Sequence, residues 1–173
     1  MAWVKKGSLQ GPPGPAGTAG KDYAVPAWQR GGGPLRDDGA INLGTGGKQN
    51  YFWRVDRGIF EYWFDITWGR GASSRGGSLR ITVPYAPNGI EAVGVGSYWS
   101  QGGGFAMVIN PFVRAGSKEM RFLVHKSGGD DTQAEMRIWD GRYGTGSGIP
   151  ANPGYTLDQE LSSIKGHIRY PIA

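Results

Sequence analysis

Residues 58–68 read GIFEYWFDITW, and the period of this stretch is two. Phe60, Tyr62, Phe64, Ile66 and Trp68 alternate with Glu61, Trp63, Asp65 and Thr67, so an extended chain turns large apolar groups to one side and a mainly polar set to the other. That is the pattern of a strand with one buried face. YFWRV at 51–55 precedes it across Asp56-Arg57-Gly58, a short turn that predicts a hairpin. Outward from this pair, SLRITV alternates through Leu79, Ile81 and Val83 until Pro84 stops it. Further strand candidates are EAVGVGSYW (91–99), GFAMVINPFV (104–113), KEMRFLVH (118–125), QAEMRIWD (133–140) and IKGHIRY (164–170). Met120, Phe122 and Val124 share one face of their strand, as Met136 and Ile138 share one face of theirs.

Strands at this spacing, joined by glycine-rich turns, predict an all-β fold, an antiparallel β-sandwich of jelly-roll-like form over residues 40–173. Only LDQELSSI (157–164) has helical composition, and it covers about two turns. The longest irregular segment of the head is GRYGTGSGIPANPGY (141–155), which contains Tyr143 and Tyr155. Long loops are where binding chemistry tends to sit.

The N-terminal part has a different grammar. In GPPGPAGTAGKD (11–22), Gly11, Gly14, Gly17 and Gly20 keep a strict three-residue register, with Pro12, Pro13 and Pro15 in the positions between. Only glycine fits where three polyproline-II chains meet at a common axis, so the register predicts a short collagen-like triple helix and hence a homotrimer. The plainer alternative is a flexible Pro/Gly linker. At about 3.1 Å per residue the rod would be roughly 37 Å long, too short to hold a trimer by itself. Residues 1–10 form a basic, partly apolar leader in which Trp3, Val4 and Leu9 lack a local core and Lys5 and Lys6 add charge; such a segment suits an anchor that orders on a partner. Residues 23–39, with AVPAW, GGGP and paired acids, read as an irregular connector.

The chain has 173 residues, 38% of them hydrophobic, which is enough for one domain with a real core. Seven Trp, eight Tyr and six Phe supply bulky packing groups. With no Cys, neither disulfides nor thiolate metal sites are available. The net charge is +5, but Lys and Arg are scattered rather than gathered in a stripe, so no nucleic acid partner is expected. No apolar run is long enough for a membrane span, and MAWVKKGSLQ lacks the apolar core of a secretory signal, which predicts a product made in the cytoplasm.

Catalytic signatures are thin. Glu61 and Asp65 share a strand face about 13 to 14 Å apart, whereas a glycosidase pair needs about 5 to 9.5 Å. The expectation for them is two solvent-facing charges. His125 and His167 lie in no metal-binding or nucleophile pattern, GxSxG, HExxH and P-loop motifs are missing, and the doublets Asp37-Asp38 and Asp130-Asp131 read as acidic turns. No catalytic residue, metal or cofactor is assigned, and no enzyme is expected. Binding has better support. Trp63 falls on the charged face of its strand between Glu61 and Asp65, and Trp139 sits out of phase with Met136 and Ile138 beside Asp140. Aromatic planes next to carboxylates hold sugar rings, and they are equally at home in subunit interfaces. Trp63, Trp139, Tyr143 and Tyr155 are therefore the candidate ligand or interface residues.

The leader MAWVKKGSLQ, the GPPGPAG rod directly after it and a β-rich head containing FEYWFDITWG and SLRITVP together resemble the minor tail or tail-fibre-like proteins of long-tailed phages that infect actinobacteria. That resemblance implies a homotrimeric virion protein at the tail tip. Its N-terminus would join other tail or baseplate proteins, and its heads would face the host envelope, with cell-wall glycan as a possible ligand. The short rod and single head depart from larger relatives, and this keeps a purely structural baseplate decoration open. A polysaccharide-degrading enzyme of the tail tip is the rival from another class.

Overall fold

The computed structural model describes residues 23–36, 41–72, 79–100, 105–126, 135–138 and 162–173. The Gly-X-Y register, the leader residues, Trp139, Tyr143, Tyr155 and both acidic doublets lie outside these residues.

The chain is all-β. The strands in order are β1 (Gln29–Arg30), β2 (Lys48–Asp56), β3 (Ile59–Thr67), β4 (Arg80–Thr82), β5 (Ala92–Val93), β6 (Val95–Ser100), β7 (Phe105–Val113), β8 (Glu119–Lys126), β9 (Glu135–Ile138) and β10 (Ser163–Pro171). They form one antiparallel sheet in the order β1-β2-β3-β10-β6-β7-β8-β4, with β5 paired to β7 and β9 to β8. Ser163 and Ile164, at the end of the predicted helical stretch, belong to β10.

The deciding alternation holds along β3. Phe60, Tyr62, Phe64, Ile66 and Trp68 are each at most 2% exposed, whereas Trp63 on the other face is 48% exposed. Asp56 pairs with Ile59, which leaves Arg57 and Gly58 as a two-residue turn. Both have positive φ, 50° and 75°, the mirror-image geometry that matches the twist of the flanking strands. Leu79, Ile81, Val83, Met120, Phe122 and Val124 enter the same core.

The sheet curls into a half-barrel, consistent with a β-sandwich-like fold. In a flat sheet β3 and β8, separated by β10, β6 and β7, would lie about 19 Å apart. Yet the rings of Phe64 on β3 and Phe122 on β8 meet edge to face with centroids 5.6 Å apart. Gly166 makes this possible. It pairs with Phe64 on one side and with Gly96 on the other, and a Cβ at Gly166 would collide with the Phe64 ring. Two adjacent glycines in central strands let an aromatic side chain lie flat across the backbone of its neighbours, and they mark the bend of a curved sheet.

Residues 29–36, expected to be irregular, strap the two sides of the curl. β1 pairs with β2. A few residues on, Gly33 N–H donates to the Thr82 carbonyl at 3.0 Å, and Arg36 exchanges backbone hydrogen bonds with Arg80, the first residue of β4. Leu35, 2% exposed, plugs the core between them, and its N–H donates to Gln49 Oε1 at 2.9 Å and to the Tyr51 hydroxyl oxygen at 3.1 Å. The opposite end of the curl is closed by Tyr85, whose ring packs on Trp53 and Phe60 and whose carbonyl accepts from the Tyr170 hydroxyl at 2.8 Å. Burial pushes the hydroxyl pKa values of Tyr51, Tyr62 and Tyr170 well up, so all three stay neutral at any ordinary pH.

Removing the ring that spans the curl should therefore be costly. Phe64→Ala is expected to lower the unfolding free energy by about 3 to 5 kcal/mol in a denaturant titration. Asn50→Ala, on the exposed face, should change it by no more than about 0.5 kcal/mol. A midpoint unmoved by Phe64→Ala would contradict the role given to this ring.

Candidate functional site

The outward face of β2, β3, β10 and β6 carries the concentration of exposed aromatic and apolar groups to which the sequence pointed at Trp63. Strand register sets its layout. One row across the sheet is Phe52, Trp63, His167 and Val95, and the next is Asn50, Asp65, Lys165 and Ser97. Trp28, just before β1, adds a wall, and all of these residues except Asn50 border an open groove of about 980 Å³ whose lining is mostly apolar. Trp28, Trp63, Val95 and Trp99 are all more than 40% exposed, and Val108 on β7 continues the surface at 62%. Large apolar groups clustered in this way on an exterior mark a contact surface rather than a core.

Trp63 stacks on His167 with ring centroids 4.3 Å apart and planes inclined by 25°. A neighbour on the adjacent strand thus fixes the indole in position before any partner arrives. Burial lowers the His167 pKa from its ordinary 6.5, with Glu61 raising it and Arg169 lowering it in smaller measure.

A third row, Arg54, Glu61 and Arg169, overturns the expectation of a solvent-facing Glu61. The residue is only 9% exposed, and its carboxylate has Arg54 Nε at 2.6 Å on one side and Arg169 Nε at 3.4 Å on the other. The Trp28 ring lies over the Arg54 guanidinium at 4.6 Å. Two guanidinium groups compensate one carboxylate that the surrounding side chains shield from water, an arrangement that fixes position more than it adds stability. Asp65 is half-exposed and lies 3.5 Å from Lys165 Nζ through Oδ2. Its Oδ1 is buried and has no hydrogen-bond partner among the described residues.

Of the sequence candidates, Trp63 is at the centre of this face, while Trp139, Tyr143 and Tyr155 lie outside the described residues. Sequence reasoning missed Trp28, Phe52, Val95 and His167. Phase could have found Phe52, since it alternates with Tyr51 and Trp53, but the meeting of β10 with β3 has no local signal. Among the described residues no group of three or more His, Asp or Glu could hold a metal ion, and no helix is long and apolar enough to cross a membrane.

His167 gives the face a pH dependence. Its pKa is lower in the folded chain than in the unfolded one, so between the two values the unfolded state holds a proton that the native site refuses. The contribution is complete above about pH 6.5 and is lost as the pH falls through the lowered value. Thermal unfolding midpoints should drop as the pH falls below about 6.5 in the parent, and less steeply in His167→Asn. Equal slopes would show that the imidazole is not shielded.

No protein-family model, curated protein or solved structure matches this chain, so the reading of the face rests on its own geometry.

Proposed function

We propose that this chain is a homotrimeric structural protein of a virion, a minor tail protein at the tail tip of a long-tailed phage of actinobacteria. Residues 1–10 attach it to other tail or baseplate proteins, residues 11–22 form a short collagen-like triple helix, and the β-sandwich-like head is carried outward to contact the host envelope. One observation carries the reading: a strict Gly-X-Y register ends directly before a β head whose exposed face is apolar and aromatic. A collagen-like reading of the register calls for three chains, and an apolar face supplies the contact that so short a rod needs in addition. Tyr23, the residue that follows this segment in sequence, packs its ring under the Arg57 guanidinium at 3.9 Å, at the turn between β2 and β3.

Light scattering on the purified full chain should give about three chain masses, and a monodisperse monomer at micromolar concentration would overturn the trimer. The same protein should bind actinobacterial cells or their wall glycans without releasing reducing ends. Release would favour a polysaccharide-degrading enzyme, and failure to bind would favour a baseplate decoration.

A further inference from the structure

We infer that the groove bordered by Trp28, Phe52, Trp63 and Val95 is the contact between heads, occupied by the neighbouring copy of this chain around the three-fold axis. The inference rests on the trimeric reading above and names the surface that holds the trimer together.

The path of the chain points to this face. In a Gly-X-Y bundle the three copies leave the rod close to its axis. The next residue, Tyr23, is already fixed against Arg57, and the backbone then runs to Trp28, which walls the groove. Residues 23–28 can span at most about 18 Å, so this wall stands near the point where the three chains diverge. Heads gathered on one axis meet through whatever surface lies beside it. Here that surface is the one with Trp63 at 48% and Val95 at 66% exposure.

The chemistry of the lining selects a protein surface over a sugar. A glycan site needs several free donors and acceptors around its aromatic plane, because each buried hydroxyl must be matched. The groove offers few, and Asp65 and Lys165 are paired with each other. Of the flanking charges, Glu61 is already held between Arg54 and Arg169, so covering this carboxylate costs less than burying an isolated ion. Contacts around a three-fold axis are head to tail, so each copy presents its groove to the next and the ring closes.

The test uses the full chain with Trp63→Arg and, separately, Val95→Glu, each on an exposed position of a different strand. Circular dichroism and thermal unfolding verify that each variant keeps the fold. Sedimentation across micromolar concentrations should show the parent as a trimer and either variant dissociating at concentrations more than about tenfold higher, since a central Trp typically dominates such a contact. A parent that is monomeric overturns the trimeric reading together with this inference. A trimeric parent whose folded variants dissociate no more readily overturns the inference alone, and if those trimers have lost binding to wall glycan, the groove is a ligand site.

Discussion

The curl of the sheet depends on the ring of Phe64 lying across Gly166 to reach Phe122. A sheet whose strands all twist in one sense will coil, but only a close approach between its two halves turns coiling into an enclosed core. The bare backbone at Gly166 supplies the room, and the aromatic ring fills it. The strap from β1 to Arg36 then joins β2 to β4, and Leu35 is pressed into the gap that remains. Everything on the outer face follows from this curl, because it decides which side chains of β2, β3, β10 and β6 are turned out and how close their rows stand.

Period two was legible wherever burial is one-sided. The alternation in β3, the run Leu79, Ile81 and Val83, and the set Met120, Phe122 and Val124 all declare their inner faces, since a strand has only two sides to choose between. Residues 29–36 were illegible for a physical reason. Their glycines carry no side-chain pattern, and what orders them is backbone hydrogen bonding to β2, Thr82 and Arg80, which leaves no trace in local sequence. The place of β10 between β3 and β6 was hidden in the same way, because strand order is a property of distant partners.

The site was half readable. Trp63 was marked by being apolar on a polar face. Glu61, beside it in the same alternation, was misjudged because its fate depends on Arg54 and Arg169, which only the register brings to it. The same register sets His167 under the indole. A sequence pattern can show that a residue faces outward. Whether outward means solvent or a crowded row of neighbours depends on strands that are far away in the chain.

The position of β10 has a consequence for how the head comes into being. Its residues 163–171 are the last strand in chain order, yet they complete pairing on both sides, to β3 and to β6. A chain growing from its N-terminus can fold the β2–β3 hairpin early, but the backbone groups along the free side of β3 have no mate until residue 163 and beyond have been synthesised. During that interval the hairpin offers an unpaired, aromatic-rich edge, the kind of surface on which a second nascent chain can add in the wrong place. In a head built this way, closure of the sheet is a late and non-local event, and it sets the pace at which correctly paired heads become available.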